Sequence, residues 1–114
     1  MRTVLLVLQS ESFRSVLHET LRGYYCVLSA KDPIEGAVLL DHQPDALLLD
    51  VFLPGADGFS FLRANYRNLP PAVLLFTTLN DSSILQTAAD LGVSTVLLKP
   101  CSLSSVQKWL EVQL

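Results

Sequence analysis

Three polar residues stand directly after short apolar runs. Asp50 follows Ala46 to Leu49, Thr77 follows Val73 to Phe76, and Lys99 follows Thr95 to Leu98. A carboxylate, a hydroxyl and an ammonium gathered at one point could accept a phosphoryl group, with Asp50 as nucleophile and Thr77 and Lys99 gripping the transferred oxygens. Singly, each has a plainer explanation: Asp50 as a turn cap, Thr77 as a β-branched strand residue, Lys99 as a solvated strand end. The chemistry therefore requires a fold that brings the ends of these runs together.

The elements that would do so can be read from periodicity. Val4 to Leu8, Ala46 to Leu49, Val73 to Phe76 and Thr95 to Leu98 are continuous apolar runs, and Cys26 to Leu28 is a weaker fifth. Such runs read as strands buried on both faces. Between them lie helical spacings: Phe13, Val16, Leu17 and Leu21; Ile34, Ala37 and Val38; Phe59, Leu62 and Tyr66. Asp32-Pro33-Ile34-Glu35 offers an N-cap, a proline for the first helical position and an acidic residue for a capping box. Asp81-Ser82-Ser83 can cap a helix carrying Ile84, Ala88 and Leu91, with Gly92 placed for a left-handed C-terminal residue. A last helix runs from about Ser102 to the end. Strand and helix in alternation predict right-handed crossovers and an α/β, doubly wound, five-stranded parallel sheet of flavodoxin-like order 2-1-3-4-5, with helices on both faces. In such a sheet the carboxyl ends of the strands line one crevice, where Asp50, Thr77, Lys99 and Gln9 would meet.

Composition narrows the function classes. The 114 residues are 50% hydrophobic and carry 8 Lys+Arg against 11 Asp+Glu, a formal net charge of −3. That is enough chain for one domain with a substantial core. Mean hydropathy is +0.40, yet no apolar run approaches the roughly 18 residues of a membrane span. The N-terminus lacks the pattern of a signal peptide. An acidic balance without clustered cations predicts no direct nucleic-acid contact by this domain and no membrane association. Cys26 and Cys101 are too few and too far apart for a disulfide scaffold or zinc site, which fits a reduced, cytoplasmic setting. His18 and His42 fall in predicted helices without a paired ligand and read as surface or satisfied histidines. Gln9-Ser10-Glu11-Ser12 is a poor phosphate cradle, which disfavours a flavin carrier of the same strand order.

Taken jointly, Asp50-Val51-Phe52-Leu53-Pro54-Gly55-Ala56-Asp57-Gly58-Phe59, Phe76-Thr77-Thr78-Leu79-Asn80-Asp81 and Gly92-Val93-Ser94-Thr95-Val96-Leu97-Leu98-Lys99-Pro100 closely resemble the three motifs of response-regulator receiver domains. The resemblance spans essentially the whole chain. It implies a CheY-like, non-enzymatic signalling module of two-component systems in bacteria, occupying residues 1–114 as the N-terminal module of a longer regulator. It further implies Asp50 as phosphoacceptor, Thr77 and Lys99 as phosphoryl-binding residues, and a cis peptide at Lys99-Pro100, where proline makes cis accessible. The implied partners are a sensor histidine kinase or phosphotransfer protein, an output domain, or a second copy docked through the fourth helix, fifth strand and fifth helix.

The same resemblance exposes departures. Receivers place two acidic residues at the end of the first strand to hold Mg²⁺; here Leu8 and Gln9 align there. Asp50 and the backbone carbonyl of Phe52 remain as metal ligands, too few for a cation usually held by carboxylates, waters and phosphate. Glu11 is expected to favour the first helix's dipole instead. Weak or absent Mg²⁺ binding and impaired phosphorylation are the expectation, with a Lys99–Asp50 ion pair in a site partly desolvated by Leu8. Thr78 stands where a smaller residue is usual, Phe52 puts a ring at the crevice lip, and Val96 replaces the aromatic residue whose rotation reports phosphorylation. Trp109 lies off the Leu103, Val106 and Leu110 stripe and is expected as an exposed contact. Two readings follow: a phosphorylatable receiver, or a pseudo-receiver acting as a phosphorylation-independent interaction or dimerisation module.

Overall fold

The computed structural model describes residues 1–114. The elements are β1 (Thr3–Val7), α1 (Glu11–Leu21), β2 (Cys26–Ala30), α2 (Pro33–Leu40), β3 (Ala46–Asp50), α3 (Gly58–Ala64), β4 (Ala72–Thr77), α4 (Ser82–Asp90), β5 (Thr95–Leu98) and α5 (Leu103–Gln113). All five strands pair in parallel in the order β2-β1-β3-β4-β5. The expected doubly wound sheet is therefore present. The weaker apolar character of the Cys26 run has its reason in the topology, because β2 is an edge strand.

Alternation along the strands feeds two separate cores. Leu5, Val7, Leu47, Leu49 and Leu75 pack on one face with residues of α2, α3 and α4. Val4, Leu6, Leu48, Leu74 and Phe76 pack on the other with Leu17 and Leu21 of α1 and Val106 and Leu110 of α5. Each strand residue thus serves one helix layer.

The caps fall where their chemistry places them. Asp32 accepts from Glu35 N at 2.8 Å with Pro33 opening α2, and Asp81 accepts from Ser83 N at 2.9 Å before α4. The latter bond holds the Asp81 carboxyl below its ordinary range. After α4, Gly92 takes φ 83° and Val93 N donates to Ala88 O at 2.9 Å, closing the helix end.

Three helix faces differ from the periodicity. On α1, Leu17 and Leu21 are buried but Val16 faces solvent. On α2, Ile34 and Val38 are 80% and 61% exposed, while Gly36 and Leu40 point inward. Gly36 decides this: a Cβ there would lie 3.0 Å from Val7 and 3.1 Å from Phe61, so the helix descends on its glycine. Ile34 and Val38 each lie two residues from this line, roughly 200° around the helix. On α3 the buried residues include Phe61 and Leu62; the helix ends at Ala64, leaving Tyr66 exposed in a 3₁₀ turn, Tyr66–Asn68. Asn65 terminates α3, its Nδ2 donating to Phe61 O at 2.9 Å.

An antiparallel ribbon of Phe52–Leu53 with Ala56–Asp57, absent from the sequence reading, turns through Gly55 at φ 71° and returns the chain over β3. Gly58 then starts α3 against the backbone of Asp50, where a Cβ would collide with the Asp50 carbonyl oxygen. Substituting Gly58→Ala is therefore expected to cost roughly 2 kcal/mol or more by overpacking against backbone. Gly23→Ala, where an added Cβ meets nothing within 4 Å, should stay within about 0.5 kcal/mol. Urea midpoints of the two variants check this contrast.

Candidate functional site

Sheet register brings the three polar strand ends side by side. Asp50 sits opposite Phe76, and Val51 N donates to Phe76 O at 2.9 Å just beyond it. Lys99 N donates to Thr77 O at 2.7 Å, extending the β4–β5 ladder by one residue. The Lys99–Pro100 peptide is cis. Asp57 caps α3 by accepting from Ser60 N at 2.7 Å, which fixes the loop beyond Asp50.

Asp50 is 3% exposed, and its two carboxylate oxygens have different surroundings. Oδ2 accepts from the backbone N of Gln9 at 2.8 Å. Oδ1 lies 2.6 Å from Lys99 Nζ as an ion pair. Lys99 also lies over the Phe13 ring, 5.1 Å from its centroid, and Phe13 meets Phe76 edge-on at 5.4 Å. The ammonium therefore sits between a carboxylate and an aromatic face. Leu8, fully buried, belongs to the same core cluster as Phe76 and contributes no polar atom from its side chain.

Thr77 is buried at the end of β4, and its Oγ1 accepts from Leu79 N at 3.1 Å. That bond leaves the hydroxyl proton available to a second acceptor. Thr78 is exposed, and Phe52 is exposed on the ribbon. Val96 is half-buried and packs toward the core beneath α2, α3 and α4.

Mg²⁺ takes hard oxygen donors. No three His, Cys, Asp or Glu side chains converge anywhere in the molecule. Near Asp50 the chain offers one carboxylate and backbone carbonyls, where Mg²⁺ is typically bound through one or two carboxylates plus waters and phosphate oxygens. Glu11 is the exposed first residue of α1, as its expected dipole role requires. Arg14 Nη1 donates to Leu8 O at 2.6 Å, so a fixed cation already occupies the carbonyl at the end of β1.

Trp109 is placed elsewhere. It is half-buried rather than free on the surface, packs against the core between the sheet and α1/α5, and lines a cleft with Ala72, Val73 and Ser94 at the amino ends of β4 and β5. The reason is the wide inward face of α5, which takes in Trp109 beside Val106 and Leu110. His18 Nδ1 lies 3.2 Å from Ser29 Oγ, and His42 is exposed. Both cysteines are free, and burial pushes the Cys101 thiol up despite the pull of Lys99, away from reactive thiolate character.

Sequence reasoning missed two participants, the Gln9 backbone N–H and the Phe13 ring. A backbone donor leaves no mark on residue type. Phe13 was legible only as a core residue, although the Ser10 cap, which accepts from Phe13 N at 3.2 Å, fixes it in the first turn of α1 beside the strand ends.

Comparison with known proteins agrees with this geometry. The family model described as response regulator receiver domain matches residues 4–111. A probable chemotaxis protein CheY of Rhizobium etli is 31% identical over 114 residues, covering 95% of this chain and 88% of that protein. The transcriptional regulatory protein AfsQ1 of Streptomyces coelicolor is 32% identical over 102 residues, covering 88% of this chain but 45% of its own length. Among solved structures, chemotaxis protein CheY4 of Vibrio cholerae superimposes with a TM-score of 0.85 at 28% identity, covering 100% of this chain and 99% of the other. Strand order, strand-end residues and family match converge, and the chain belongs to the response regulator receiver domain family.

Proposed function

We propose that this chain is a two-component receiver domain in which Asp50 is the phosphoacceptor and Mg²⁺-dependent phosphorylation is impaired. The observation that carries the reading is the asymmetric Asp50 carboxylate, with Oδ2 engaged by the Gln9 N–H and Oδ1 paired with the Lys99 ammonium. Oδ1 would attack phosphorus, forming an O–P bond as the P–N bond to a donor imidazole breaks and its electron pair leaves with the imidazole. Lys99 and the Thr77 hydroxyl would hold the transferred oxygens. The impairment follows from Leu8 and Gln9, which supply no carboxylate to a metal and so remove a main source of charge neutralisation for the incoming group.

Phosphoryl transfer would come from a sensor histidine kinase or phosphotransfer protein, in the cytoplasm, and the response would pass to an output domain or a second copy. Docking through α4, β5 and α5 is supported by the exposed side chains of Leu85 and Leu98. A second reading, a phosphorylation-independent interaction module, is favoured by Val96, whose side chain cannot make the swing of an aromatic residue.

Intact-mass analysis after incubation with a small phosphoryl donor, with and without Mg²⁺, tests the central reading. A slow phosphate-sized gain, absent in Asp50→Asn and accelerated by Mg²⁺ only in the Leu8→Asp/Gln9→Asp variant, is expected. No gain in any form of the protein overturns it in favour of the interaction module. In thermodynamic terms, Asp50→Asn should lower stability by roughly 1 to 3 kcal/mol, since it strands an ammonium that is only partly solvated; Lys99 is 22% exposed. A urea midpoint that rises instead contradicts the ion pair. For the docking face, sedimentation should show a dimer whose dissociation constant rises at least about tenfold, or about 1.4 kcal/mol, in Leu98→Asp. A wild-type monomer at every concentration refutes that face as a homodimer contact.

A further inference from the structure

Arg14 makes no ion pair, although Glu11 lies three residues before it on the same helix. Its guanidinium is instead committed to backbone, donating from Nη1 to Leu8 O at 2.6 Å and reaching Gln9 O at 3.5 Å. An arginine stays charged throughout the ordinary pH range, so the bond to Leu8 O is charge-assisted. The carbonyl of Leu8 and the N–H of Gln9 belong to one peptide unit. The N–H end of that unit is the donor to Asp50 Oδ2 at 2.8 Å. Arg14, the Leu8–Gln9 peptide and Asp50 therefore form one continuous line, cation to carbonyl and N–H to carboxylate.

We infer that Arg14 is a positioning residue for Asp50, acting through the Leu8–Gln9 peptide. The peptide lies beyond the last ladder residue of β1, and its neighbour Leu8 N reaches Ala30 O only at 3.4 Å. The ladder alone does not fix its plane. Arg14 does so from one side, and by withdrawing charge through the carbonyl it makes the Gln9 N–H a stronger donor on the other. The result is a carboxylate with Oδ2 occupied and Oδ1 turned toward Lys99. The role in phosphoryl acceptance rests on the reading of Asp50 given above, whereas the coupling itself exists in the unmodified protein.

The experiment is therefore done without any phosphoryl donor, by following the Gln9 amide in NMR spectra of the full chain. Asp50→Asn identifies the signature by moving the Gln9 proton upfield. Arg14→Met is expected to move it the same way and to speed its exchange about tenfold, the loss of about one hydrogen bond. Arg14→Lys, which keeps the charge, should restore part of both. A Gln9 resonance and exchange rate unchanged in Arg14→Met overturn the inference. Should Arg14→Met fail to fold, the neutral Arg14→Gln takes its place, with the same upfield shift and faster exchange expected and an unchanged Gln9 resonance overturning the inference. A protein that never gains phosphate but shows the shifts loses the phosphoacceptor reading and keeps this one.

Discussion

A carboxylate stripped of water at the end of an all-apolar strand must be compensated, and the molecule is arranged around that requirement. Asp50 is 3% exposed, and an isolated ionised carboxylate in such a place costs many kcal/mol. Compensation comes from two chain segments distant in sequence, the Gln9 N–H just beyond β1 and the Lys99 ammonium just beyond β5. Neither can reach the carboxylate unless the parallel order and register of the whole sheet are correct. The ion pair is thus a long-range check on the fold, while the two leucine-rich cores supply the gross stability.

The division of the core explains why the strand sequences read as continuous apolar runs. Each central strand faces a helix layer on either side, so neither side of the sheet needs polar residues until the strand ends. Polarity then appears abruptly, at Asp50, at Thr77 and at Lys99. Placement of chemistry at strand ends follows from burial alone: those are the first positions along each strand where a polar group can meet another polar group.

Much of this was legible in the sequence. The runs gave the strands, Asp32-Pro33 and Asp81 gave helix starts, Gly92 gave a helix end, and the three motifs placed Asp50, Thr77 and Lys99 in one crevice. What could not be read has a common physical cause. The orientation of α2 depends on Gly36 fitting between Val7 and Phe61, a relation between three segments that the spacing of Ile34 and Val38 does not contain. Trp109 is half-buried because the inward face of α5 is wider than the Leu103, Val106 and Leu110 stripe. The Lys99–Asp50 ion pair is legible, but the further contact of each partner is not, because one is a backbone amide and the other an aromatic face.

That Asp50 Oδ2 is held by a main-chain N–H has an evolutionary side. The Gln9 side chain is exposed and takes no part in the contact, so nineteen of the twenty residue types could stand at this position and still present the same donor; only proline lacks it. Position 8, buried without any accessible surface, answers to packing as well. The end of β1 therefore combines a site where mutations can drift unseen by Asp50 with an immediate neighbour whose side chain the core also selects. A lineage could alter its metal chemistry at position 9 without first dismantling the architecture that holds the carboxylate.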